Sequence, residues 1–213
     1  VIVAEAGGIA VTVQGIALET AVTQVEVTVD KSLNLIMLDD VLPLELLSTV
    51  HSFIANKGFQ YGWKSDNKFI FPHWNMELAG KATDNRSDIY THLTNTFKDV
   101  WRHMLIKYPV AKNHTLIRVY ANQYTYGTGG YPHKDSSIDT DLTFILYLNK
   151  DWKKEYAGAA VFFKDDEAID IVMPKYNRLI IFNGAVEHAG LEVSRLCPQA
   201  RTVLVFKSKL NQI

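Results

Sequence analysis

The chain has 213 residues and a mass of 24.1 kDa, enough to bury a sizeable core as one domain with a terminal extension. Its composition, 47% hydrophobic and 21% charged with 12 Gly and 6 Pro, excludes disordered, collagenous and coiled-coil classes. Twenty-two basic against 23 acidic side chains argue against the basic footprint of a nucleic-acid binder, and the lone Cys197 can form neither an internal disulfide nor a cysteine-based zinc site.

Residues 1–30 contain no Lys or Arg, so the basic start of a secretory signal is missing. No apolar run reaches membrane-spanning length, and with the single cysteine this points to a soluble, cytoplasmic protein. The first methionine after Val1 is Met37, as expected of a processed chain or an excised fragment. The alternation in Val11-Thr-Val13 and Val25–Val29, punctuated by Gly7, Gly8 and Gly15, predicts a β-rich extension over 1–30, with one domain over 31–213.

Asp39 or Asp40 as cap, Pro43 in the first turn, and Leu42, Leu46, Val50, Phe53 and Ile54 near a 3.6-residue period predict a helix ending at Gly58. Residues 58–86 lose periodicity and read as loop or short hairpin, rich in aromatic residues from Phe59 to Trp74. A second amphipathic helix follows from Ile89, Leu93, Phe97, Val100, Met104 and Leu105, capped by Ser87 or Asp88. These helices make up a support over 39–108. From Leu116 the period changes to two, predicting strands over 116–124, 142–149, 159–164, 169–173, 178–183 and 201–208. Turns fall at Gly127–Gly130, Asp165-Asp166 and Asn183-Gly184. Helices followed by a run of strands fit an α+β, mainly β fold whose C-terminal half is a sandwich or barrel.

Of seven histidines, His51, His73, His92, His103 and His114 have no ligand-like spacing to a carboxylate. His133 and Asp135 are two apart after a glycine-rich turn, so in extended backbone both point the same way. His188, after the strand Arg178–Phe182, adds a second imidazole. Two imidazoles and one carboxylate are the ligand set of non-haem Fe(II) oxygenases, whose open positions accept a 2-oxo acid and O2. The far carboxylate of such a co-substrate needs a planar cationic fork. Arg201, with Val203 and Val205 expected on the same inward face, suits it; Arg195, in the preceding turn, is the rival.

Together, His133-x-Asp135, His188 and Arg201-Thr-Val-Leu-Val-Phe resemble the 2-oxoglutarate and Fe(II)-dependent dioxygenases. Tyr124-Thr-Tyr-Gly-Thr-Gly-Gly-Tyr-Pro-His-Lys-Asp, Phe144–Trp152, Ala157-Gly-Ala and Pro174–Phe182 resemble the prolyl 4-hydroxylase branch, nearest to the hypoxia-inducible-factor prolyl hydroxylases. The likeness covers residues 116–208. It implies a double-stranded β-helix, a jelly-roll or cupin-like barrel with helices packed on one sheet. It also implies His133, Asp135 and His188 as iron ligands, and Arg201, Tyr147, Thr143 and Tyr124 around 2-oxoglutarate. Tyr131 and, from the aromatic stretch, Trp74 would face the substrate. The implied activity is hydroxylation of a prolyl residue in a peptide or protein, with succinate and CO2 as co-products and ascorbate as reductant. The alternatives are hydroxylation of a free amino acid or other small metabolite, and a non-catalytic cupin-like binding module.

Overall fold

A computed structural model describes residues 2–6, 9–13, 28–30, 35–64, 69–81 and 87–211. In chain order the elements are β1 (Ile2–Ala6), β2 (Ile9–Val13), β3 (Thr28–Asp30), β4 (Leu35–Leu38), α1 (Leu44–Lys57), β5 (Gln60–Trp63), β6 (His73–Ala79) and α2 (Asn95–Lys107). They continue with β7 (His114–Tyr124), β8 (Leu142–Tyr147), β9 (Ala160–Lys164), β10 (Glu167–Val172), β11 (Leu179–Asn183), β12 (Glu187–Gly190) and β13 (Arg201–Leu210). Eight strands form one antiparallel sheet in the order β3-β4-β11-β8-β13-β7-β6-β5, and three form a second in the order β10-β9-β12. β1 and β2 pair only with each other among the described strands. Gly7, Gly8 and Gly15 and most of the expected strand Val25–Val29 lie outside the described residues.

The large sheet buries both faces, which is why its strands read as nearly continuous apolar runs rather than strict alternation. One face packs Phe144, Leu146, Leu204 and Phe206 against Leu47, Val50 and Ile54 of α1 and Phe97, Val100, Trp101 and Met104 of α2. Trp101 stacks on Phe206 at 5.9 Å and meets Phe144 edge-on at 5.1 Å. The other face packs Ile145, Tyr147, Ile180, Phe182, Val203 and Val205 against Phe162 and Val172 of the small sheet. This is the expected double-stranded β-helix with helices on one sheet. Among the described residues no helix is long and apolar enough to cross a membrane.

Local details differ from the sequence expectations for identifiable reasons. Neither Asp39 nor Asp40 caps α1. The helix starts after Pro43, and Asp39 instead binds Arg178 through Nε at 2.7 Å and Nη2 at 3.0 Å, and Lys175 at 2.5 Å. The entry to α1 is held by buried Asn177, whose side-chain amide donates to Leu42 O and whose oxygen accepts from Leu42 N–H, both at 2.9 Å. α2 begins at Asn95 rather than near Asp88, because Leu93 takes an extended backbone that separates it from the short 3-10 turn Tyr90–His92. Asp88 caps that turn by accepting from Tyr90 N–H at 2.8 Å. The stretch from residue 58 contains a hairpin, β5–β6, and β6 pairs with β7 to widen the main sheet. The β9–β10 turn has Asp165 and Asp166 both left-handed, at φ 51° and 65°, the geometry that tight hairpins favour.

Asp39 supplies a pH signature. The hydrogen bond from Arg178 holds its carboxyl below the ordinary range, so the stabilisation is present above the unfolded carboxylate pKa of about 3.9 and is lost as pH falls through the lower, folded value. Because the pair is partly exposed, Asp39→Asn is expected to cost at most about 1 kcal/mol at pH 7. The difference should shrink as the pH is taken below about 4, measured by urea denaturation at a series of pH values.

Candidate metal centre

The segment carrying His133 is docked onto β12 by a reciprocal backbone exchange. His133 N–H donates to His188 O at 3.0 Å and His188 N–H to His133 O at 2.9 Å. Directly opposed residues of an antiparallel pair project their side chains to the same face, and the two imidazole centroids lie 4.6 Å apart. Two residues on, Asp135 N–H and Ser136 N–H both donate to Gly184 O at 2.9 Å, which brings the Asp135 carboxylate under both rings. One potential ligand atom from each of His133, Asp135 and His188 lies within 4.8 Å of the others. His133 Nε2 is 3.5 Å from Asp135 Oδ1, and His188 Nε2 is 3.7 Å from Oδ2.

The surroundings orient these donors. His133 Nδ1 lies 2.7 Å from Tyr131 O and His188 Nδ1 3.1 Å from Val186 O. Carbonyls only accept, so Nδ1 carries the proton in each ring and a neutral Nε2 lone pair is left for a cation. Thr143 donates to Asp135 Oδ2 at 2.7 Å, and the Lys207 ammonium lies 2.7 Å from Oδ1. Phe182 and Phe162 wall His188 at 4.6 and 6.1 Å. Burial pushes the His188 pKa down to about 4. Burial acts the same way on His133, but the Asp135 hydrogen bond and charge outweigh it and the net direction is upward. Asp135 is raised by burial, yet Lys207, His188 and His133 together hold it well below the ordinary value.

Odd-numbered residues of β13 line the same pocket: Arg201, Val203, Val205 and Lys207. Arg201 is 1% exposed, with its guanidinium carbon 5.2 Å from the rings of both Tyr124 and Tyr147. Its Nε and Nη1, and the Tyr147 hydroxyl, have no hydrogen-bond partner among the described residues. Such a buried, unanswered cation is costly unless an anion meets it, so this end of the pocket fits a carboxylate. Burial raises the Tyr147 hydroxyl and pushes Tyr124 up to about 12, so both remain neutral donors. Two glycines make room for Arg201. A Cβ at Gly158, where φ is +74°, would lie 3.0 Å from Arg201 Cδ, and one at Gly190 would lie 3.2 Å from Nη1.

Several expected positions fall elsewhere. Arg195 is exposed and stacks on Tyr126 at 4.9 Å, away from the pocket that Arg201 lines. The Thr143 hydroxyl is committed to Asp135 rather than standing beside Arg201. Tyr131 stacks on Phe69 at 4.2 Å and lines an adjoining apolar recess with Phe71, Met173 and Leu191. Trp74 is opposite Gln123 on β7, whose neighbours Asn122 and Tyr124 line the pocket. Strand alternation therefore turns Trp74 to the other face, where it packs on Tyr61 at 5.0 Å, and Trp63 is the tryptophan that lines the pocket.

Inward residues with no counterpart among the expected site residues include His73, Asn75, Arg118, Tyr120, Asn122, Lys207 and Trp63. His73 is buried, lies 4.8 Å from the Tyr124 ring, and is pushed down to about 4 by burial with the charge of His133 adding to it. Asn75 donates to Asn122 at 2.8 Å. The period-two runs His73-x-Asn75 and Arg118-x-Tyr120-x-Asn122-x-Tyr124 carry the signal for this face, and extending the Arg201 alternation by one step reaches Lys207.

The family model of the 2OG-Fe(II) oxygenase superfamily matches residues 119–208. No curated protein matches the sequence. Among solved structures, an oxidoreductase of the 2OG-Fe(II) oxygenase family from Burkholderia pseudomallei superposes with a TM-score of 0.65 at 14% identity, covering 82% of this chain and 84% of that one. A Trichoplax adhaerens prolyl hydroxylase in complex with a hypoxia inducible factor peptide fragment gives 0.59 at 13%, covering 82% and 83%. HygX from Streptomyces hygroscopicus with nickel, 2-oxoglutarate and hygromycin B bound gives 0.59 at 11%, covering 84% of each chain.

Cation binding by the three donors requires neutral imidazoles, so protons compete with metal. Cobalt(II) or manganese(II) affinity is expected to fall as pH drops through the raised His133 pKa, by up to about tenfold per pH unit below it. His188→Ala is expected to lose at least about 100-fold in affinity; calorimetric titration across pH 5.5–8 checks both.

Proposed function

Residues 119–208 resemble the 2OG-Fe(II) oxygenases, and from that premise we propose that this protein is an Fe(II)- and 2-oxoglutarate-dependent oxygenase. It hydroxylates an unactivated C–H bond, and a prolyl residue in a peptide or protein is the first candidate substrate. The observation that carries the reading is the combination of the His133, Asp135 and His188 donors with the unanswered Arg201 in one pocket, Arg201 lying 5.2 Å from the ring of buried Tyr147. A bound iron, with 2-oxoglutarate and O2, supplies the oxidising power, and the co-substrate leaves as succinate and CO2. Ascorbate is the proposed reductant.

The chain's own residues do the positioning. His133, Asp135 and His188 hold the ion, with Nδ1 protons anchored on backbone carbonyls and Thr143 bracing the carboxylate. Arg201 and Tyr147 take the distal carboxylate of 2-oxoglutarate, Arg through its planar fork, and Tyr124 walls that end. Phe162, Phe182, Val203 and Val205 keep the site apolar, which limits water beside the reacting groups. The prolyl assignment draws support from the prolyl hydroxylase neighbour. A small-molecule substrate draws its own support from the HygX neighbour. The balanced net charge argues against nucleic acid as substrate.

Anaerobic addition of Fe(II) and 2-oxoglutarate to metal-free protein is expected to produce the visible charge-transfer band of the chelate. His133→Ala should abolish it, and Arg201→Ala should raise the 2-oxoglutarate concentration needed by at least about tenfold. A wild-type protein without the band is a non-catalytic barrel. Succinate release with proline-rich peptides against free amino acids then separates the two substrate classes.

A further inference from the structure

We propose that the pocket recognises its substrate through a carboxylate held by Arg118 and Lys207, at the opposite end of the β13 pocket face from Arg201. The inference rests on the oxygenase reading and names the substrate chemistry of the same site. Arg118 on β7 and Lys207 on β13 are directly paired across the antiparallel ladder, and both line the pocket that holds the metal group. Arg118 is 7% exposed and its guanidinium carbon lies 4.7 Å from the Trp63 ring and 4.3 Å from that of Tyr120. This stacking fixes the plane of the fork. One of its terminal nitrogens binds Glu77, but Nε is buried with no partner among the described residues. Lys207 lies on Asp135 Oδ1.

Two cations placed opposite each other repel unless anions lie between them, and here the anions are Glu77 and Asp135. Asp135 is also a candidate ligand, and a divalent ion on it draws on the charge that now balances Lys207. If the ion's two positive charges are matched by Asp135 and the near carboxylate of 2-oxoglutarate, and Arg201 by the distal carboxylate, Arg118 and Lys207 remain against Glu77 alone. One positive charge is left over at the end where Arg118 and Lys207 stand. A carboxylate supplies the missing charge and an acceptor for the fork, while Trp63 offers an apolar wall for the carbon skeleton attached to it. An acidic side chain in a peptide and the carboxylate of a free amino acid present the same chemistry.

The test uses the full chain loaded anaerobically with Fe(II) and 2-oxoglutarate and titrated calorimetrically with two acid–amide pairs: L-proline against L-prolinamide, and acetyl-Pro-Glu-amide against acetyl-Pro-Gln-amide. The acid of at least one pair is expected to bind about tenfold or more tightly than its amide, and the pair that shows this identifies the source of the carboxylate. Arg118→Gln should bring that ratio close to one, and Arg118→Lys, which keeps the cation, should retain part of it. Equal binding of acid and amide in both pairs, or a ratio unchanged in Arg118→Gln, overturns the carboxylate subsite while leaving the oxygenase reading intact. A wild-type protein that forms no chelate band overturns the oxygenase reading and the subsite with it.

Discussion

β13 is the constraint on which the rest depends. It is hydrogen-bonded to β7 on one side and β8 on the other, so its register is set twice over. Its two faces have different tasks: Leu204 and Phe206 enter the helix-side core, while Arg201, Val203, Val205 and Lys207 face the pocket. A slip of one residue would exchange these sets, driving Arg201 and Lys207 into the packing of α1 and α2 and emptying the pocket of its charges. The bulge between Lys207 and Ser208 falls just beyond the last pocket residue, so the irregularity does not disturb the face that matters.

The small sheet makes the second half of the site, with His188 on β12 as its donor and backbone hydrogen bonds placing the other two. The His133–His188 exchange continues the edge of β12 and brings together two imidazoles that are 55 positions apart in sequence. From there the hydrogen bonds to Gly184 carry the chain round so that Asp135 meets the residues of the large sheet. Lys207 and Thr143, opposite each other on β13 and β8, both reach its carboxylate. The His133, Asp135 and His188 cluster is thus assembled where the two sheets face each other, and its geometry depends on the packing of Phe162, Phe182 and Ile145 between them.

Burying so many cations is expensive, and each is handled differently. Arg178 is answered by Asp39 at the rim. Arg118 is stacked between aromatic rings and bonded to Glu77, and Lys207 is answered by Asp135. Arg201 has aromatic faces but no carboxylate. This gradation sets Arg201, which has no carboxylate among the described residues, apart from the paired cations, and it gives the pocket a polarity along its length that composition and net charge conceal.

The period-two strands after Leu116 were legible in sequence, as were the two helices by their apolar spacing, because each signal is local and repeats over several residues. The meeting of His133, Asp135 and His188 was legible because histidines are few and the spacing is restrictive. Boundaries were less so: Asp39 and Asp88 look like helix caps, and only the fold shows Asp39 bound to Arg178, 139 residues away. β5, β6 and β12 gave weak signals, since β6 carries inward polar residues and β12 is four residues long. Which tryptophan enters the pocket, whether Arg195 or Arg201 lies in it, and the meeting of Arg118 with Lys207 were decided by tertiary structure alone. Those outcomes depend on strand partners and on which face each side chain takes, and a one-dimensional pattern carries the alternation without the register that orients it.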